Sequence, residues 1–297
     1  MREINMRCAG EVCMLEQREL VRFPVFLLLG LALVGGCRDR PQPSNSEIIM
    51  PKVEHVPSSP EDPAWQKAPE HVAKLLLQDI VEPRQLEVTT AEVRARALQD
   101  GKKAAFRLEW KDPSRDETPG PGRFSDGCAL QTPVQSGPTL PASQMGEPGR
   151  PVEIIFWNAN WQALVHGRAD ELKALYPNAA IDHYPYEVPS LEKGSPVQRD
   201  MAIRYLPARA LGNDWGGPRK VPVVRYMAEG PGTLTPQKDE RANGDGRRTE
   251  GGWAVVITRD LPESSHVALA VWDGAQAEVG GRKMRTGWIR LRREQRR

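Results

Sequence analysis

Cysteine is scarce. The 297 residues hold four, Cys8, Cys13, Cys37 and Cys128; the first two precede an N-terminal apolar run and the third closely follows it. If Cys8 and Cys13 are removed with that run and Cys37 is lipidated, Cys128 is the one free thiol left, which excludes an intrachain disulfide framework and an iron–sulfur cluster held by several cysteines. No CxxCH occurs, which excludes covalently attached c-type haem. The five histidines, His55, His71, His166, His183 and His266, show neither HxH nor HExxH spacing. A clustered metal-hydrolase centre therefore has no sequence support, and each histidine reads as a core or surface residue. There is no GxSxG elbow, no phosphate-cradling glycine loop and no dinucleotide fingerprint. Charge of one sign is also lacking: 41 basic against 39 acidic residues give a net +2, too balanced for a nucleic-acid binder. The longest apolar run, Phe23 to Val34, is too short to span a membrane comfortably.

Proline and glycine are plentiful instead, 27 and 26 residues, and imply long loops. The run from Phe23 to Val34 follows Arg18 and Arg22 and ends in Leu33-Val34-Gly35-Gly36-Cys37, the layout of an export signal. Its end resembles a bacterial lipobox, which makes Cys37 the lipidated first residue of the mature protein; an ordinary cleaved signal or an uncleaved anchor is the alternative. Residues before Met14 fit a signal poorly, so Met14 is an alternative start. The expected organisation is a signal over 1–37, a flexible tether over 38–66 rich in Pro, Ser and Asn, and one folded domain over 67–297. That places the domain on the periplasmic side of a bacterial membrane, anchored through Cys37.

Within the domain, strands dominate. Lys74 to Val81 reads as a short strand closed by Pro83. Val93–Leu98 and Ala104–Trp110 alternate about an Asp100-Gly101 turn and form a hairpin with Phe106, Leu108 and Trp110 on one face. Phe124–Gln131 returns to strand character, with Asp126 read as a turn or surface residue, and Val152–Trp157 is a near-continuous apolar strand. A short helix is expected over Asp170–Tyr176. From about 178 to 251 the pattern is poor, and the hydrophilic stretch Gln237–Glu250 reads as a surface insertion. Gly252–Arg259 and Val267–Trp272 read as an antiparallel pair, Thr286–Leu291 as a last strand, and Arg290, Arg292, Arg293, Arg296 and Arg297 as a solvated tail. The predicted fold is an all-β sandwich with a few short helices and long loops. The loop Gly280-Gly281-Arg282-Lys283, between strands expected to be buried, is where chemistry is expected.

Several segments in order resemble one family: Gln78–Pro83, Arg107–Pro113, Phe124–Asp126, Met145-Gly146, Val152–Trp157, Gly251–Trp253, and Ala270–Gly274 followed by Lys283 and Trp288. Over about residues 70 to 291 they resemble the haem-binding γ subunit of ethylbenzene dehydrogenase and the corresponding subunits of dimethylsulfide dehydrogenase, selenate reductase and chlorate reductase. The resemblance implies a β-sandwich holding one haem b, with Met145 and Lys283 as the axial ligands of its iron. It also implies an electron-transfer subunit without a catalytic site of its own. Its partners would be the molybdopterin catalytic subunit and the iron–sulfur subunit of a DMSO reductase-type complex, with a redox carrier such as a c-type cytochrome. Met284 is a competing ligand whose side chain would point the other way along an extended loop. Arg282 and Arg150 are candidates to pair haem propionates, or else solvated arginines. An amine binds iron only as the free base, and deprotonating an ordinary lysine at pH 7 costs about 4.6 kcal/mol. The competing reading is a haem-free carbohydrate- or ligand-binding lipoprotein, with Trp110, Trp157, Trp161, Trp215 and Trp253 as sugar-stacking faces unless they are core.

Overall fold

The computed structural model describes residues 47–118, 120–169, 173, 176–180, 190–192, 194–205, 219–237 and 241–294. Cys37 with its signal, Trp215 and most of the helix expected over 170–176 lie outside the described residues. The first seven strands are β1 (Glu47–Met50), β2 (His71–Lys74), β3 (Leu76–Leu77), β4 (Glu92–Gln99), β5 (Lys103–Lys111), β6 (Gly127–Pro133) and β7 (Val152–Asn158). Helices α1 (Ala159–Val165) and α2 (Pro196–Tyr205) follow. The remaining strands are β8 (Val223–Ala228), β9 (Thr235–Gln237), β10 (Ala242–Thr249), β11 (Gly252–Asp260), β12 (His266–Trp272), β13 (Met284–Arg285) and β14 (Ile289–Arg293).

They form the all-β sandwich expected. One sheet runs β1-β14-β12-β6-β7-β8-β9, with β13 bridging β12 and β3; the other runs β10-β11-β5-β4-β2. The β4–β5 hairpin forms as read: the Asp100 carboxylate accepts from the amides of Lys102 and Lys103, and Gly101 takes the positive φ, 98°, that the turn needs. Phe106, Leu108 and Trp110 then face inward and meet Ile155, Trp157, Leu269 and Val271 of the opposite sheet in one core. Each such side chain, once buried, stabilises the fold by about 1.5–3 kcal/mol.

The two apolar runs near the C-terminus do not pair. β11 is flanked on both sides, by β5 and β10, so it has no free edge, and β12 pairs with β6 in the other sheet. The link through Pro262 crosses between layers. The expected strand over Lys74–Val81 is also interrupted, because from Gln78 the chain folds back onto its own side chain: Gln78 Oε1 accepts from the amides of Ile80 and Val81. Part of the expected tether is structured: β1 runs parallel to β14, with Ile48 and Met50 fully buried in the core, and Trp65 is buried as well. The basic tail is correspondingly shorter, since Arg292 pairs with Glu47 at 2.7 Å and β14 extends to Arg293.

The supposed insertion over Gln237–Glu250 contains a full-length edge strand. β10 carries no large apolar residue because its inward side meets Trp157. A Cβ built on Gly246 would lie 2.3 Å from Trp157 Cζ2, and one on Gly244 would lie 2.7 Å from Val223 Cγ1. The indole supplies the volume that the strand lacks. Gly246→Ala is therefore expected to destabilise the chain by about 1–3 kcal/mol, measured by urea unfolding; an unchanged midpoint would contradict this packing.

Candidate cofactor site

The larger sheet is apolar on both faces. Along β7, Ile155 and Trp157 point into the inter-sheet core, while Ile154 and Phe156 join a second cluster on the outer face. β12 repeats the division, with Leu269 and Val271 inward and Ala270 and Trp272 outward. This is why these strands read as continuous apolar runs rather than alternating ones. The outer cluster is completed by Ala129, Val152, Tyr226 and Ala228, and loops fold over it to enclose a cleft of about 460 Å³.

Met145 and Lys283 both reach this cleft. The Lys283 Nζ lies 4.0 Å from the Met145 Sδ and 5.0 Å from the centre of the Trp272 ring. Trp272 stacks edge-on against Phe156 at 5.0 Å, and Phe156 against Trp161 at 5.5 Å. Among the described residues Lys283 makes no ion pair. Burial, with Arg285 nearby adding repulsion, lowers its pKa from 10.5 to about 8, so the free amine is within reach of neutral pH. Met284 points away, fully buried in the inter-sheet core, as an extended backbone requires.

Local structure aims each side chain. Met145 has φ +74°, a left-handed conformation uncommon for a side chain of this kind, held by a hydrogen bond from the Gly230 amide to its carbonyl at 2.8 Å. Gly146 follows at φ +79°; a Cβ there would lie 2.9 Å from the Ala228 carbonyl oxygen and 3.0 Å from that of Arg150. The glycine thus lets the loop pack on β8. The Lys283 loop is fixed from the other side. Buried Gln78 donates to the carbonyls of Val81 and Gly281 at 2.7 and 2.9 Å, and the Trp272 indole donates to Gly280 O at 3.1 Å. Buried Glu278 accepts from Gln85 at 2.9 Å and from the Asp273 amide at 2.8 Å.

Of the two readings weighed for Arg150 and Arg282, the structure favours solvated arginines. Arg150 pairs with Glu147 and donates to the Thr139 carbonyl at 2.7 Å, Arg282 is exposed, and neither lines the cleft; Arg123 does. Four of the five sugar-stacking candidates are core: Trp110, Trp157, Trp161 and Trp253 are at most 3% exposed. Among the described residues, the Tyr226 hydroxyl in the cleft is buried without a hydrogen-bond partner, and burial raises its pKa to about 12.

The sequence pattern of the ethylbenzene dehydrogenase family matches residues 62–284, which take in every cleft residue named above. The chain belongs to that family. A protein of Haloferax mediterranei, named provisionally as the haem subunit of a respiratory nitrate reductase, is 23% identical over 279 residues, covering 89% of this chain and 79% of that protein. Among solved structures, a family 9 carbohydrate-binding module of Caldicellulosiruptor kristjanssonii with cellotriose aligns at a TM-score of 0.35 and 8% identity over 84% of this chain and 94% of that one. The same module with glucose gives 0.33 and 9%, over 84% and 97%. Within this ethylbenzene dehydrogenase family member, sequence reasoning brought Met145 and Lys283 together but missed the clamp. Gln78 stands in a segment that carried the resemblance; Gln85 and Glu278 gave no signal, because isolated polar residues read as surface.

Proposed function

We propose that this chain is a haem b subunit that passes single electrons between a molybdenum- and iron–sulfur-containing oxidoreductase and another redox carrier. Membership of the ethylbenzene dehydrogenase family and the haem-subunit name of the Haloferax relative support haem and a reductase-type complex. The observation that carries the ligand assignment is the thioether and amine facing each other at 4.0 Å across an aromatic cleft. A thioether and an amine this close would both be within reach of one haem iron, for which a soft sulfur and a nitrogen are suitable donors. The unpartnered Tyr226 hydroxyl and Arg123 at the rim offer polar contacts to a ligand that is otherwise apolar.

Haem, when bound, supplies one-electron exchange at its iron. Met145 would provide a soft neutral donor, which favours the reduced metal. Lys283 would provide an amine whose proton is already loosened by burial, so less than the full cost for an ordinary lysine remains. If Met145 and Lys283 both held the metal, they would leave no open position on it for a substrate, which favours electron transfer over catalysis. Trp272, Phe156 and Ile154 would exclude water from the site. The same reading makes Cys37 the lipidated residue of an exported protein tethered at the periplasmic face of a bacterial membrane.

The test is an absorption spectrum of the full chain expressed with haem available, oxidised and dithionite-reduced, beside Met145→Ala and Lys283→Ala. A low-spin six-coordinate spectrum that turns high-spin or vanishes in both variants is expected. Folded protein that takes up no haem would overturn the cytochrome reading, and low-spin spectra in either variant would overturn the ligand assignment.

A further inference from the structure

Three loops meet at one end of the sandwich, and each brings a carboxylate: Asp112 after β5, Asp126 before β6 and Asp273 after β12. One carboxylate oxygen from each lies within 4.8 Å of the others, and the residues are 1%, 0% and 7% exposed. A fourth, Asp116, joins them through its amide, which donates to Asp126 Oδ2 at 2.9 Å, and through Ser114, whose hydroxyl bridges Asp112 and Asp116 at 3.1 and 2.6 Å. Among the described residues none of the four makes an ion pair with a lysine, arginine or histidine. Buried carboxylates this close repel one another, and charge taken from water is costly unless it is compensated.

Hydrogen bonds supply part of that compensation, to Asp126 from three N–H donors and to Asp273 Oδ1 from the Gln276 amide at 3.3 Å, but not all of it. Asp126 Oδ1 accepts from the Gly274 amide and Oδ2 from the Trp253 indole, both at 2.9 Å. Asp112 Oδ1 accepts from Ser114 and the Asp112 carbonyl from Arg248 at 3.0 Å, yet among the described residues Asp112 Oδ2 is buried without a hydrogen-bond partner. No carboxyl-to-carboxylate hydrogen bond joins the three acids, although burial, reinforced by the Asp112 charge, raises Asp126 to about 7. A buried oxygen without a donor, on a residue 1% exposed within a cluster of acids, calls for a cation.

We propose that Asp112, Asp126 and Asp273 hold one calcium ion, separate from the haem cleft. Every donor is a carboxylate oxygen, with no nitrogen or sulfur among them, which selects a hard cation, and an irregular three-loop frame suits calcium better than the strict octahedron of magnesium. The ion would tie β5, β6 and the segment that leads from Trp272 to Lys283. Gly274 shows how close these loops already run, since a Cβ there would lie 2.3 Å from the Phe124 carbonyl oxygen and 2.6 Å from Asp116 Cβ. The site stands whether or not the cleft binds haem.

The full chain is stripped with EGTA and titrated with terbium(III), which occupies calcium sites and emits when a neighbouring tryptophan is excited. Because Trp253 donates to Asp126, sensitised emission is expected at one ion per chain, displaced by CaCl2 and reduced in Trp253→Phe. Asp112→Asn and Asp273→Asn are expected to weaken calcium binding at least tenfold in calorimetric titration. Wild-type protein is expected to melt roughly 5–10 °C higher when free calcium exceeds its dissociation constant a hundredfold, a readout that needs no variant to fold. Folded, stripped protein that neither sensitises terbium nor melts differently with CaCl2 would overturn the site. Calcium affinity unchanged in both Asn variants would do the same.

Discussion

Replacing Trp157 by alanine is expected to destabilise the chain by about 4 kcal/mol, in the range for removal of a large aromatic from a close-packed core. Trp157 is fully buried in the core between the sheets. Its ring lies edge-on to Trp253 at 5.1 Å and to Trp110 at 6.3 Å, and two glycines of β10 leave room for it. Its indole also donates to Gln162 Oε1 at 2.8 Å, and the same oxygen accepts from the Gly246 amide at 2.7 Å. The side chain therefore links β7, α1 and the edge strand β10 at one point. Alanine leaves a cavity bounded by glycines that have no side chains to move into it, so little relaxation is available. Urea unfolding followed by circular dichroism checks the value, and a loss below about 1 kcal/mol would mean that β10 closes over the gap, contrary to the packing described. Trp157→Phe should recover part of the loss, since it restores most of the volume but not the hydrogen bond.

The same residue explains what could and could not be read from the sequence. The β4–β5 hairpin was legible because its turn and its alternation are both local: Asp100-Gly101 specifies the reversal, and Phe106, Leu108 and Trp110 fall on one side. β10 was not legible, because an edge strand exposed on one face and filled by a distant indole on the other shows neither alternation nor bulk. β1 failed for a related reason. Four residues carry no period, and what makes Ile48 and Met50 core is distant in the chain: the parallel partner β14, more than 240 residues away, and β4 packed against the same strand. The supposed pairing of β11 with β12 shows the limit of adjacency, since neighbours in a chain can pair in sequence yet be claimed by different sheets.

For the cleft, the apolar runs of β7 and β12 gave a legible hint. Strands of an antiparallel sheet that are apolar on both faces need cover on both, and the second sheet supplies only one. What covers the other face is a set of loops with little periodicity, so Met145 and Lys283 could be paired through family resemblance and not through spacing. Asp126 was misread because a single aspartate beside glycine has the composition of a turn. Only the fold shows that it is fully buried and accepts from the Trp253 indole and the Gly274 amide.

Lys283→Met is expected to stabilise the haem-free chain at pH 7 and to lose that advantage as the pH rises. The folded protein holds Lys283 at about 8, below the ordinary 10.5, chiefly through burial. Between these values the unfolded chain binds more protons than the folded one, so the wild type gains stability with rising pH. Below pH 8 both states carry the proton, and the folded state bears the full cost of enclosing an ammonium without a carboxylate. That cost is at most about 3 kcal/mol, and less because the side chain keeps part of its surface in the cleft. Methionine, similar in length and uncharged, removes the penalty and adds no void. Urea unfolding of both proteins without haem should therefore show the variant ahead at pH 7, the gap narrowing from pH 8 and gone by about pH 10.5. A gap that does not change with pH would mean that Lys283 is solvated in the folded chain. A closing gap would tie a measurable loss of stability in the empty protein to the residue proposed to release its proton when the iron is bound, as expected where a buried amine is kept for ligation rather than for folding.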